Sequence, residues 1–289
     1  MRILAYKILN FILYLISLLP FWVLYLLSDI SFYIFYYLVK YRRNIVRINL
    51  ANSFPEKTNF DRLEIEKKYF RFLCDTIFET IKLRTISANN LKKRFKFRDI
   101  EQVTQFLNNN QSVIIATGHY ANWEWGTPAT PLYFKETLLV IYKPQTNKLF
   151  EKSINNVRSR FGAIMVPMKH ALRNIVDKKN TPSISILLTD QTPTRTETIF
   201  FTPFLNQPTA VFLGVEKIAK MTGRPVIFYH INRIKRGYHE VIFKIITDDP
   251  KSTAEYEITK LHTEALEKVI REKPEFWLWS HKRWKFKPE

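Results

Sequence analysis

Proton-transfer chemistry in proteins is carried mostly by histidine and the two acids, and their setting decides which of them are used. In this 289-residue chain the stretch Ser112 to Gly126, SVIIATGHYANWEWG, sets a histidine and a glutamate at a structural break. An apolar run from Val113 to Ala116 ends at Gly118, His119 follows at once, and Glu124 stands five residues further on. A short apolar run bounded by glycine reads as a buried strand. The carboxyl ends of such strands are where α/β proteins place their ligands. Glu124 would sit in the first turn of the next helix, and a bend between can bring the two side chains together. A carboxylate bonded to one imidazole nitrogen fixes the tautomer and leaves the other nitrogen to accept a proton. Such a pair can deprotonate a hydroxyl and make it a nucleophile toward an activated acyl group. His119 and Glu124 are therefore expected to form a catalytic dyad.

The spacing by itself carries little, because six histidines and 26 acids meet this way by chance. His262 and Glu267 repeat it within the helical pattern Glu257 to Arg271. Five residues along a helix turn roughly 140° about its axis, so those two side chains diverge. His262 is expected on a helix surface. Other chemistries lack their motifs: there is no G-x-S-x-G elbow, no H-E-x-x-H, and neither phosphate-loop pattern. Cys74 is the only cysteine, which removes internal disulfides and cysteine-built zinc sites. No metal is expected.

The elements that must position the pair follow from the hydrophobic pattern. Strands are predicted over 113–117, 138–142, 163–166, 184–189, 226–232 and 240–246. Helices are predicted over 62–84, 121–132, 148–161, 169–178, 211–222 and 254–271. Strands alternating with helices of this length imply βαβ units. The expected fold is α/β, a mixed but mainly parallel central sheet flanked by helices, behind an N-terminal apolar membrane-anchoring helix.

That anchor rests on the 21 residues Ile8 to Ser28, none of them charged. As one helix they would reach roughly 30 Å, about a bilayer core. Pro20 can kink the run or divide it in two. A buried core helix is the alternative reading, since Asn10, Ser17 and Asp29 are poor lipid neighbours. Arg2 and Lys7 precede the run, and Lys40, Arg42, Arg43 and Arg47 follow it. The heavier downstream charge sets the following domain on the cytoplasmic side and suits anionic head groups. The expected division is residues 1–40 as anchor and 41–289 as catalytic domain. The formal net charge of +19 calls for polyanionic partners: nucleic acid, an anionic membrane, phosphorylated substrates or acidic carrier proteins. A long apolar N-terminus does not serve nucleic-acid binding, and no reader motif is present, so nucleic acid is not expected.

Several segments, in order, resemble the late acyltransferases of lipid A biosynthesis, the lauroyl/myristoyl transferase type within the lysophospholipid acyltransferase group. The apolar N-terminus is followed by YRRNIVRINLANSFPE, similar to the basic segment of that family. GHYANWE is similar to its His-x4-acid motif, YKPQTN to its Tyr-Arg-Pro…Asn segment, and VRSRFG to its Arg-x-Arg segment. LLTDQ is similar to its aspartate motif, and FWLWSHKRWK, Phe276 to Lys285, to its closing Trp-x-His-Arg-Arg segment. The sequence departs from the pattern at Lys143, where arginine is usual, at His281-Lys282-Arg283, and in the segment QTPTRTETIFFTPF after Asp190, which lacks a glycine.

The resemblance implies O-acyl transfer from acyl carrier protein to a hydroxyl of a phosphorylated glycolipid, a lipid A precursor, at the cell inner membrane and without a cofactor. Another membrane lipid, an aminolipid or lysophospholipid, is the alternative acceptor, and a non-catalytic basic protein bound to membrane or nucleic acid is the alternative class. His119 carries over as general base and Glu124 as its orienting carboxylate. Arg158, Arg160, Asp190 and Lys143 carry over as substrate-binding residues. Guanidinium groups suit phosphate and oxyanion binding, whereas lysine lacks the bidentate fork.

Overall fold

The computed structural model of the protein describes residues 2–177, 181–194 and 200–288. Lys178, at the end of one predicted helix, and Arg195 to Ile199 lie outside the described residues. The strands are β1 (Phe95–Phe97), β2 (Val113–Thr117), β3 (Thr137–Tyr142), β4 (Ile164–Pro167), β5 (Ser183–Leu188), β6 (Phe201–Phe204), β7 (Gln207–Ala210), β8 (Val226–Lys235) and β9 (Tyr238–Thr247). Seven of them form one sheet in the order β1-β9-β8-β2-β5-β3-β4, in which only β8 and β9 pair antiparallel. β6 and β7 form a separate hairpin. The α/β expectation holds. The six predicted strands are present, and the short β1 and the hairpin are additional.

The central strand β2 is buried along its whole length, as a parallel strand covered on both faces must be. Its residues alternate between two cores: Val113 and Ile115 join the larger, Ile114 and Ala116 the smaller. The helices on these faces are α1 (Arg2–Leu18), α2 (Phe21–Tyr33), α3 (Arg43–Ser53), α4 (Asn59–Lys82), α5 (Ala88–Arg94), α6 (Glu101–Asn108), α7 (Trp123–Ala129), α8 (Lys148–Arg158), α9 (Ala171–Asp177), α10 (Gly214–Thr222) and α11 (Glu257–Glu272).

Pro20 divides the apolar N-terminal run into α1 and α2, with Ile34–Leu38 continuing α2 as a π turn. Proline has no N–H to continue the first helix but is tolerated where a second begins. Both helices pack on α4, which is opened by a Thr58/Asp61 capping box. Leu24, Ser28 and Phe32, spaced by four, are the buried stripe of α2. Ser28 donates to Asp75 at 2.7 Å, and Arg236 joins Asp29 to Asp75. Lys82 of α4 donates to the carbonyls of Ser17 and Leu19 at the break. The polar residues that interrupt the apolar run are thus the ones that fasten it to the domain. Trp22, Leu26, Ile30 and Tyr33 face outward, as do Ile8, Phe11, Leu15 and Leu18 of α1.

His262 corrects the expectation of a surface histidine, for it is only 1% exposed. The buried stripe of α11 runs Ile258, His262, Leu266, Val269 and Ile270, and 262 falls on it. Burial pushes the imidazole down to about 4, so the ring is neutral near pH 7. Glu267 lies off that stripe and pairs with Arg271. The divergence predicted for the pair is real, with the histidine inside and the acid outside.

Candidate active site

His119 stands just past the end of β2, next to the end of β5. The two strands pair in parallel, Val113 opposite Ile184 through Thr117 opposite Leu188. Continuing that register by two residues sets His119 opposite Asp190. The side chains meet there: His119 Nδ1 lies 2.6 Å from Asp190 Oδ1. The His119 backbone N–H donates to Asp190 Oδ2 at 2.8 Å, and the Trp277 indole N–H donates to the same oxygen at 2.8 Å. Gly118 permits this approach, because a Cβ there would fall 2.8 Å from Leu266 and 3.1 Å from Asp190 Oδ2.

Burial alone would raise the Asp190 pKa, but the His119 imidazole and these hydrogen bonds hold the carboxyl well below its usual range. An ionised Asp190 accepts from Nδ1–H, which leaves the Nε2 lone pair of the neutral ring facing outward. The Gln191 amide nitrogen lies 3.2 Å from Nε2, in position to donate to it. The Trp123 ring packs edge-on against the imidazole at 5.3 Å.

Glu124, expected to orient His119, is engaged elsewhere. Arg158 Nε donates to Oε2 at 2.9 Å and Nη2 to Oε1 at 2.6 Å, a bidentate pair. Burial pushes the Glu124 carboxyl up, but the Arg158 charge and its hydrogen bonds, together with His119 and Trp123, more than reverse it, so Glu124 is ionised. The cause lies in the local turn. Ala121 adopts the left-handed region at φ 49°, and Asn122 caps α7 by accepting from the Trp125 N–H. That entry turns the first residues of α7 toward the end of α8. The strand register, meanwhile, has already supplied Asp190 to the histidine.

The cleft around His119, about 100 Å³, is lined also by Trp123, Glu124, Lys143, Arg158 and Gln191. Lys143 and Arg158 therefore share the cleft with His119. Arg160 does not line it. Its guanidinium donates to the carbonyls of Leu83 and Ile86, beyond the carboxyl end of α4. On the far side of Trp123 and Glu124 lies a second cavity of about 450 Å³. Leu9 and Leu13 of α1, Ile77 and Ile81 of α4, and Phe150 and Ile154 of α8 give it an apolar wall.

Two further networks hold the cleft. Glu79 of α4 accepts from Asn122 and from the Tyr25 hydroxyl of α2, and its carbonyl accepts from the Trp125 indole N–H. The turn that carries His119 is thereby tied to the N-terminal helices. In the second network, Asn49 of α3 donates to the carbonyls of Trp279 and His281, and the Ser280 N–H donates to the Tyr69 hydroxyl. Arg42 donates to the Ser280 carbonyl. These bonds pin the C-terminal segment that presents Trp277 to Asp190. Burial drives the His281 pKa down to about 4, and the neutral ring accepts from the Thr192 N–H at 3.2 Å. In the basic segment read from sequence as a collar for lipid head groups, Lys40, Arg42 and Arg47 are exposed while Arg43 is mostly covered. Arg43 and Arg47 both bond the buried Glu66 at 2.9 Å.

Sequence reasoning missed Trp277, Gln191, Asn122 and Glu79, and read Asp190 as a substrate-binding residue rather than as the partner of His119. One signal was available: VIIAT and SILLT are paired apolar runs, each followed within two residues by a chemically useful side chain. Among the described residues no three histidine, cysteine or acidic side chains are grouped to hold a metal ion.

The fold and site together define an α/β protein whose polar cleft, built on a histidine–carboxylate pair, adjoins an apolar cavity, as a site for an amphipathic molecule requires. Comparison with known proteins agrees. The family model described as bacterial lipid A biosynthesis acyltransferase matches residues 1–286, and the chain belongs to that family. It is an enzyme, an acyltransferase. It is 22% identical to a lipid A biosynthesis acyltransferase of Haemophilus influenzae over 276 residues, covering 93% of this chain and 84% of that protein. It is 23% identical to a lipid A biosynthesis palmitoleoyltransferase of Escherichia coli, covering 86% of this chain and 81% of that one. It is 22% identical to a lipid A biosynthesis lauroyltransferase of Escherichia coli, covering 96% and 90%.

The two carboxylates should separate on mutation. Asp190→Asn keeps the shape but lets the ring take the other tautomer, and kcat is expected to fall by about 10³- to 10⁴-fold. Glu124→Gln strands the buried Arg158 charge, and its signature is a stability loss of about 3 kcal/mol in addition to any loss of rate. Thermal melting and steady-state kinetics read both. An Asp190→Asn enzyme with nearly full activity would rule out the orienting role.

Proposed function

We propose that this enzyme transfers a fatty acyl chain from acyl carrier protein to a hydroxyl of a lipid A precursor, with His119 as general base and Asp190 as the carboxylate that orients it. The observation that carries this reading is the His119 ring itself. Its Nδ1 is bonded to Asp190 while its Nε2 faces a cleft that adjoins the apolar cavity. An acceptor hydroxyl in place of the Gln191 amide gives its proton to Nε2. Its oxygen attacks the thioester carbonyl, the tetrahedral intermediate collapses, and the C–S bond breaks. The imidazolium returns the proton to the departing thiolate.

Arg158, held by Glu124, brings a fixed positive charge to the cleft wall, suited to an oxyanion or a phosphate. Lys143 brings a second. The apolar cavity suits the acyl chain, with about 0.8 kcal/mol available for each buried CH₂. A donor protein that is acidic and an acceptor that bears phosphates both fit a chain of net charge +19.

The exposed apolar faces of α1 and α2 support seating at a membrane, and by the positive-inside pattern the cytoplasmic face of the inner membrane. Phe21–Leu38 is long and apolar enough to cross a bilayer by length and composition. Its inner stripe, however, is bonded to Asp75 and Glu79 of α4 and faces Arg236. Crossing would carry these charges into hydrocarbon, at a cost of at least ~2.5 kcal/mol each near the centre. The pair therefore lies along the membrane surface with Trp22, Leu26 and Ile30 dipping into it.

Cysteines introduced one at a time at Leu4 and Leu38 should react with a membrane-impermeant maleimide from the same side of inner-membrane vesicles. Reaction from opposite sides would establish a span instead. For the reaction, mass spectrometry of lipid A from cells with the enzyme, without it, and with His119→Gln should show one acyl chain gained only with the native enzyme. Its mass gives the chain length. Lipid A unchanged in all three, with a change in another lipid class, would transfer the reading to a different acceptor.

A further inference from the structure

Arg283 lines a small space together with Asp190, close enough for the two charges to interact. The side chain is 2% exposed, and its Nε and Nη1 have no hydrogen-bond partner among the described residues. Leaving such donors unpaired costs about 1–3 kcal/mol, more for a charged group, so their position needs a reason. They share with Asp190 a small space of about 10 Å³, walled otherwise by Thr189, Phe204, Val211, Thr263 and Leu266. That is room for about one water between guanidinium and carboxylate. Asp190 is the only other ionisable residue on that wall.

We propose that Arg283 is a positioning residue for acyl transfer, acting through Asp190: its buried charge keeps the carboxylate an acceptor for His119 and weakens the hold of Asp190 on an imidazolium. Burial lowers the guanidinium to about 10, with Asp190 opposing the change, so Arg283 is charged throughout the neutral range. Asp190 alone, in low dielectric, would stabilise the protonated form of His119 and take the base out of service. A cation beside Asp190 offsets that field. The other charged or titratable groups around the pair include Glu124, Arg158 and Lys143 across the cleft, His281 beside Asp190, and Arg42 next to His281. They remain in place in every variant below.

The consequence for rate rests on His119 being the base, so the primary readout does not use activity. The ¹⁵N imidazole titration of His119, assigned with His119→Gln, is followed in detergent-solubilised full-length protein. In Arg283→Met and Arg283→Gln the midpoint should move up by about one pH unit relative to the native enzyme, and in Arg283→Lys by much less. The acidic limb of kcat/KM should move the same way and by the same amount. A structural role alone would lower the melting temperature and leave the titration where it is. An unmoved midpoint in a folded neutral variant overturns the proposal. So does failure of both neutral variants to fold while Arg283→Lys folds, since the residue is then scaffold. A moved midpoint with an active His119→Gln enzyme would keep the Arg283 coupling and reject His119 as the base.

Discussion

A carboxylate taken out of water is expensive unless it is met by donors, and Asp190 is met by three: the His119 backbone, the His119 ring and the Trp277 indole. The rest of the site depends on that requirement. The donors come from the end of one strand and from the C-terminal segment, so Asp190 is buried as a well-met anion only when both are in place. The same bonds that stabilise the charge fix the tautomer of the histidine. The orientation of His119 and the closure of the fold are therefore linked.

The surrounding elements serve the same constraint. Asn49, Arg42 and Tyr69, early in the chain, hold the segment around Trp279 and Ser280, which sets Trp277 on Asp190. Glu79 ties the His119 turn to α4 and α2. The second buried carboxylate, Glu124, meets its need for donors with Arg158 and builds the partition between polar cleft and apolar cavity. Two acids in one site thus have separate partners, one a histidine and one an arginine, because different elements supply them.

The sequence made the strands legible, since apolar runs ending on glycine or threonine leave few alternatives in a buried parallel sheet. It made His119 legible for the same reason. It misled about the partner, because Glu124 is near in sequence while Asp190 is near only through strand register, 71 positions away. Pairing the two runs residue by residue would have exposed it, but strand order is not written in either run. His262 was misjudged for a correctable reason: the helical stripe of α11 passes through it. Arg43, Arg47 and Arg160 were read as facing ligands and instead bond protein groups, because side-chain type does not tell whether a carbonyl, a buried glutamate or a phosphate will meet it. Lys143 and Arg158 do reach the cleft, at the turn after β3 and the end of α8.

Everything proposed for the chemistry requires a neutral His119 with its proton on Nδ1. The ¹⁵N chemical shifts of that ring in the native enzyme, at a pH above its titration, test this most directly. A protonated, pyrrole-like Nδ1 beside Asp190 and a bare, pyridine-like Nε2 toward the cleft are the expected result. A proton on Nε2 would contradict the account, for the ring would then present a donor where a base is needed.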